Sequence, residues 1–201
     1  MDSGAFSYMN RPKKSFNLKD HLKQYCYYIN EFDLINFIEL DLDVFMSISE
    51  VENIRKKIYL ETHKQPIIVY HGERGHDYWI NMCKENDYVA IGGLVTSNEQ
   101  NTPERFEKLS LLCDEAHSYN TRVHGLGFTP LALLNSHTMF FDTVDSTSWN
   151  TTKHGQSTII NAKGQLEKIP QKDLFSASDG QEEDLYAWAT FAANYKGGMR
   201  I

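Results

Sequence analysis

The chain has 201 residues, 41% of them hydrophobic, and a formal net charge of −7. That length can bury one sizeable core in a single domain, and no run of about 18 apolar residues is present to form a membrane-crossing helix. The acidic balance argues against a surface broadly coated for nucleic acid, which needs clustered Lys and Arg.

In chain order, Asn17 is placed to cap a helix over residues 17–31, with Leu18, Leu22, Tyr25, Cys26 and Ile29 at helical spacing. Residues 35–43 alternate with period two and predict a strand. Residues 49–62 return to helix, with Val51, Ile54, Ile58 and Leu60 among Lys and Glu. Residues 66–71 form a short apolar run of the buried, parallel-sheet type. A helix over 75–85 and a strand over 88–93 follow, then a helix over 103–119 opened by Pro103. Two more strands are predicted at 121–127 and 139–145, and a further one near 157–161. The C-terminal stretch 182–195, with Leu185, Trp188, Phe191 and Ala192 on one face, predicts an amphipathic helix over a core.

Strands alternating with helices predict βαβ units and a parallel sheet. Each apolar run ends in a chemically capable residue: Asp43, His71, Gly92-Gly93, His124-Gly125, Asp145. Chemistry at the C-terminal end of successive strands is the pattern of a (β/α)8 barrel, whose site is built from its βα loops. An open doubly wound sheet would gather its site at one switch point. Within 37–43, alternation turns Ile38, Leu40 and Leu42 toward the helices and Glu39, Asp41 and Asp43 to the other face. Three acids on that face need donors or a ligand. For Glu39 the expected partner is an Arg or Lys, whereas Asp41 and Asp43 are candidates for at least one functional carboxylate.

Three well-separated cysteines, Cys26, Cys83 and Cys113, suggest neither a disulfide framework nor a zinc knuckle. With no signal-peptide pattern at the N-terminus, a reduced, cytoplasmic setting is expected. The local basic stretch Arg11-Pro-Lys13-Lys14 reads as a solvated loop before the first helix.

At Phe141-Asp-Thr-Val-Asp-Ser-Thr-Ser-Trp149 the pattern becomes specific. The chain resembles the tRNA-guanine transglycosylases, and more closely their shorter phage-type relatives linked to 7-deazaguanine (queuosine-type) modification. Six elements carry the resemblance, in order, over roughly residues 1–165. Asp2-Ser-Gly-Ala-Phe6 resembles the family's Asp-Ser-Gly-Gly-Phe element, whose acid lies at the catalytic centre. Leu40-Asp-Leu-Asp43 falls where the family has a base-recognising aspartate. Val69-Tyr-His-Gly72 falls at a polar side chain, often Gln, before glycine, and Ala90-Ile-Gly-Gly-Leu94 matches a segment whose backbone lines the base pocket. Arg122-Val-His-Gly-Leu-Gly127 with Thr129-Pro130 resembles the loop near the phosphate. Asp142-Thr-Val-Asp-Ser146 matches the segment with the nucleophilic aspartate.

The resemblance implies a pentosyltransferase that replaces guanine in tRNA or DNA by a 7-deazaguanine-type base through a covalent aspartyl-glycosyl intermediate. It implies Asp145 as the nucleophile, with Asp142 in a capping or pairing role, and Asp2 as the second catalytic carboxylate. Asp41, with Asp43 as the alternative, would read the N–H donors of the guanine edge. His71, Gly92, Gly93 and Leu94 would line the base, and His124 and Gly125 would lie near phosphate or sugar. Trp149 could stack on a base or serve packing. No cofactor and no metal are expected, because residues 150–201 contain no cysteine and so lack the family's Cys-x-Cys-x-x-Cys…His zinc site. The expected partners are a nucleic acid and a guanine-like base, with no membrane. A nucleosidase or deoxyribosyltransferase acting on small nucleosides, and a non-catalytic binding subunit or relic, are the alternatives.

An Asp-Ser-Gly-Ala-Phe element belongs at the end of an internal strand. The whole chain, 1–201, is therefore expected to form one transglycosylase-like barrel domain lacking its first one or two βα units, with 166–201 as a C-terminal tail and helix. A barrel of this type has eight strands and about 250 residues. A second polypeptide, or self-association through the open edge between 157–161 and 34–43, would then complete it.

Overall fold

The computed structural model describes residues 1, 3, 17–43, 45–94, 102–145, 156–170 and 177–195. Asp2, the Arg11–Lys14 stretch, Ser146 and Trp149 lie outside the described residues. What is described is mixed α/β. Helices α1 (Leu18–Glu31), α2 (Ile48–Thr62), α3 (His76–Glu85), α4 (Pro103–Ser118), α5 (Leu131–Asn135) and α6 (Ala177–Asn194) alternate with strands for most of the chain. Strands β1 (Ile68–Tyr70), β2 (Tyr88–Ile91), β3 (Arg122–Gly125) and β4 (Thr143–Val144) belong to one parallel sheet in chain order. Among the described residues no helix is long and apolar enough to cross a membrane. The chain divides near the end of β2 into two compact units, Met1–Ala90 and Ile91–Ile201.

In the first unit, local signals set the helix ends. The Asn17 side chain accepts a hydrogen bond from the Lys19 amide at 3.0 Å, the expected N-cap. Ser47 and Glu50 form a reciprocal capping box that opens α2. Leu40 and Leu42 enter a core with Tyr25, Cys26 and Ile29 of α1 and Val51, Ile54 and Ile58 of α2, as alternation predicts. Phe37, not Ile38, joins them in that core.

The 35–43 segment is not a regular strand. Its only bridge among the described residues pairs Ile38 with Ile67 in parallel, through Glu39 N to Ile67 O and Ile67 N to Phe37 O. The next rung of that ladder would carry the Val69 N–H to the Glu39 carbonyl. Instead the Val69 N–H donates to the Glu39 carboxylate at 2.7 Å, so the side chain replaces the rung. On the other side of the segment the Met1 ammonium donates to Asn36 O at 2.7 Å and Ile38 N donates to Met1 O at 3.0 Å. The opening of the chain thus lies beside 36–38, with Ser3 buried.

In the second unit, Pro103 begins α4 behind the N-cap Thr102, whose side chain accepts from Arg105 N. The expected strand 139–145 narrows to Thr143–Val144, with register His124 to Thr143 and Gly125 to Val144. The cause matches the one in the first unit. Asp142 accepts the Val123 N–H on its side chain at 2.7 Å while its own amide donates to Val123 O.

Residues 157–161 were expected as a further parallel strand. They belong instead to β5 (Gln156–Ile160), which pairs antiparallel with β6 (Leu166–Pro170) in a separate two-stranded sheet. The hairpin closes through Asn161, whose side chain accepts from Lys163 N and Gln165 N, and through Gly164 at φ +75°. The 166–201 stretch thus contains a strand as well as the helix. The buried face of α6 carries Asp184, Ala187 and Phe191, and Leu185, expected in the core, is exposed. Asp184 takes that place because its carboxylate accepts the buried Thr158 N–H of β5.

Candidate functional site

In the first unit, Glu39, Asp41 and Asp43 lie on one side of their segment, as period two requires, and each is paired. Glu39 is 1% exposed and accepts from Arg55 Nε at 2.8 Å. The Arg74 guanidinium lies 3.6 Å from the same carboxylate. Glu39 is thus the paired acid that its position predicts. Asp43 receives Arg74 as a fork, Nε to Oδ2 at 2.6 Å and Nη2 to Oδ1 at 2.7 Å. Such bidentate pairs are among the stronger polar contacts in proteins. Asp43 is thereby committed to Arg74, whereas Asp41 pairs with His71.

Asp41 Oδ1 lies 2.7 Å from His71 Nε2, and both side chains keep partial exposure. Burial disfavours the charged imidazole, and Arg74 adds to that. The hydrogen bond and charge of Asp41, with Asp43 assisting, outweigh both and hold the His71 pKa above its ordinary value. The folded state therefore binds this proton more tightly than the unfolded chain does. Its stabilisation is complete below the unfolded value of about 6.5 and is lost as pH rises through the folded one. Urea midpoints measured between about pH 6 and pH 8 should fall more steeply for the natural protein than for His71→Gln. Equal slopes would contradict the pair.

Asp41, Asp43 and His71 also offer ligand atoms that all lie within 4.8 Å of one another. The Arg74 guanidinium already occupies both carboxylate oxygens of Asp43 there.

In the second unit, Gly92 and Gly93 follow β2, and Gly93 adopts φ +72°, which glycine enters without strain. Arg105 of α4 donates to Leu94 O at 2.8 Å and ties down the turn that the two glycines begin. The two aspartates of the 142–145 segment have opposite surroundings. Asp142 is buried, bonded to the Val123 amide and to His117 Nε2 of α4 at 2.8 Å. Asp145 follows β4, and its side chain is 51% exposed. Gly127 N–H donates to its Oδ1 at 2.6 Å, and His124 Nε2 lies 3.3 Å from the same oxygen. Partial burial favours the neutral acid, but the His124 contact, the Gly127 amide and the His124 charge hold the Asp145 pKa below its ordinary value. A carboxylate that is ionised, accessible and held by one oxygen can act as a nucleophile. Comparison with protein-family models, with curated proteins and with solved structures finds no match.

Gly125 has a packing reason for being glycine. A Cβ there would come within 2.7 Å of the Phe141 ring, which packs edge-to-face on Phe128. Gly125→Ala is expected to destabilise the protein by about 1–3 kcal/mol, because a packed core cannot absorb the added atom. A urea midpoint unchanged at constant slope would contradict it.

Four residues outside the sequence-derived set take part: Arg74, Gly127, His117 and Thr143. Gly127 was legible as the last glycine of His-Gly-Leu-Gly, and its φ of +66° explains the residue type. Arg74 and His117 sit in a turn and a helix with no motif spacing. Thr143 Oγ1 lies 2.6 Å from His124 Nδ1, a contact that only the β3–β4 register reveals. Asp2 lies outside the described residues.

Proposed function

We propose that this chain is a base-exchange glycosyltransferase of the tRNA-guanine transglycosylase type, built as a (β/α)8-type barrel, that replaces guanine in a nucleic acid by a 7-deazaguanine-type base. One observation carries the reading: of the two aspartates in Asp142-Thr-Val-Asp145, Asp145 is accessible and held below the ordinary carboxylate range, whereas Asp142 is buried and spent on Val123 and His117. Asp145 is the nucleophile.

In the first displacement a carboxylate oxygen of Asp145 bonds to the anomeric carbon. The bond from that carbon to guanine N9 breaks, and its electron pair leaves with guanine, which takes up a proton from the second catalytic carboxylate, the role the resemblance gives Asp2. In the second, the incoming base attacks the same carbon, returns its ring proton to that carboxylate and restores the free Asp145. Retention of configuration follows from two inversions. Asp41 is the acceptor that the resemblance gives to the N1–H and exocyclic amine of the base edge. His71, whose Nε2 lies against Asp41, turns its other ring nitrogen to the base.

Labelled guanine offered with tRNA, with DNA and with free nucleosides tests the reading. Label entering a nucleic acid supports it. Label entering nucleosides alone would favour a small-substrate deoxyribosyltransferase, and no incorporation anywhere would overturn base exchange.

A further inference from the structure

Alternation along β4 puts Thr143 and Asp145 on one face. The parallel register sets His124 of β3 opposite Thr143, so all three side chains share that face. Both ring nitrogens of His124 are then engaged: Nδ1 lies 2.6 Å from Thr143 Oγ1, and Nε2 lies 3.3 Å from Asp145 Oδ1. An imidazole so engaged has no nitrogen left for a phosphate or sugar oxygen. The hydroxyl can donate to a neutral ring or accept from a charged one. An ionised carboxylate can only accept, so the Nε2 contact is one in which the ring donates to Asp145.

We infer that His124 and Thr143 are positioning residues for Asp145, not substrate contacts: Thr143 fixes the plane of the ring, and His124 with the Gly127 amide holds Oδ1 so that the other oxygen can attack the anomeric carbon. The inference rests on Asp145 as the nucleophile. The contacts themselves favour it, because the Gly127 N–H and His124 Nε2 converge on the same oxygen. Among the described residues His124 is the one titratable side chain in contact with Asp145. A carboxylate held at one oxygen loses the rotation that would otherwise present either oxygen at random. A misplacement of about 1 Å in such a nucleophile costs on the order of 100-fold in rate.

Carbon-13 NMR of aspartate carboxyls, with Asp145→Asn identifying the signal, reads the contact without needing turnover. The Asp145 midpoint should rise in His124→Leu and in Thr143→Val and stay at the natural value in Thr143→Ser. His124→Gln, which keeps an N–H donor, gives a smaller rise and covers the case in which His124→Leu does not fold. On the same proteins, guanine exchange should fall on the order of 100-fold in kcat with KM for nucleic acid unchanged, and Thr143→Ser should restore it. An Asp145 midpoint unmoved by His124→Gln and Thr143→Val overturns the inference whether or not exchange occurs. A loss expressed in KM alone would return His124 to the substrate-binding set. A midpoint that moves as expected in a protein with no exchange activity would leave the pairing standing and remove the nucleophile assignment instead.

Discussion

Asp145→Asn should lower guanine exchange by roughly 10⁴-fold or more, the scale seen when a nucleophile is removed from a working site. Its fold should survive. The side chain is half-exposed, and asparagine keeps an oxygen at the Oδ1 position to accept the Gly127 N–H. Surface changes of that kind usually shift stability within about 0.5 kcal/mol. Asp142→Asn separates the two aspartates. There the loss falls on a buried group that holds Val123 and His117, so the expected effect is on unfolding. Exchange by the folded fraction of Asp142→Asn should remain near the natural rate. The opposite pattern, activity kept in Asp145→Asn and lost in a fully folded Asp142→Asn, would reverse the assignment.

Arg74→Met should have the largest effect on stability. The Arg74 side chain is 1% exposed, forks onto Asp43 at 2.6 and 2.7 Å, and lies 3.6 Å from the buried Glu39. It also donates to the Tyr78 hydroxyl at 3.1 Å and lies 5.1 Å from that ring's centre. Removing one partner of a buried ion pair costs about 3–5 kcal/mol, because the remaining charge is left without compensation. The lower end, about 3 kcal/mol, applies here: Asp43 keeps some water, and Glu39 keeps Arg55. Arg74→Lys should recover little of this, since an ammonium cannot make the planar fork. A loss below about 1 kcal/mol in a urea titration would show the network to be worth no more than surface pairs.

The alternation of helices and strands was legible from periodicity, and so were the helix starts at Asn17, whose side chain caps α1, and at Pro103, which opens α4 behind the cap Thr102. What periodicity overestimated was strand length. Glu39 and Asp142 each use a carboxylate to take an N–H from the neighbouring strand, and β4 begins only at Thr143. An apolar pattern reports which face is buried; it does not report that a side chain will replace a rung of the ladder. The same device misled the reading of α6. Leu185 looks like a core residue, but Asp184 turns inward to hold the Thr158 amide. The direction of β5 was not legible either, because the short segment Gln-Ser-Thr-Ile-Ile carries no signal that distinguishes a parallel from an antiparallel neighbour.

For the candidate site, residue types at strand ends pointed to His71, His124 and Asp145 and alternation added Asp41; the structure brings Asp41 together with His71 and His124 together with Asp145. The division of labour between Asp41 and Asp43 needed Arg74, which stands 31 residues along the chain from Asp43 in a turn without a motif. The different surroundings of Asp142 and Asp145 follow from three residues of separation on a strand, which turns their side chains to opposite faces. One faces His117 of α4, and the other faces His124.

Trapping the glycosyl-enzyme adduct tests the central claim most directly. The natural protein is incubated with guanine-containing tRNA or DNA, quenched by denaturation, run on a denaturing gel and digested for peptide mass mapping. A shifted band should appear for the natural protein and for Asp142→Asn and be missing for Asp145→Asn, with the added sugar mass on the peptide containing Asp145. An adduct mapped to any other carboxylate, or efficient exchange with no adduct at any quench time, would contradict the account.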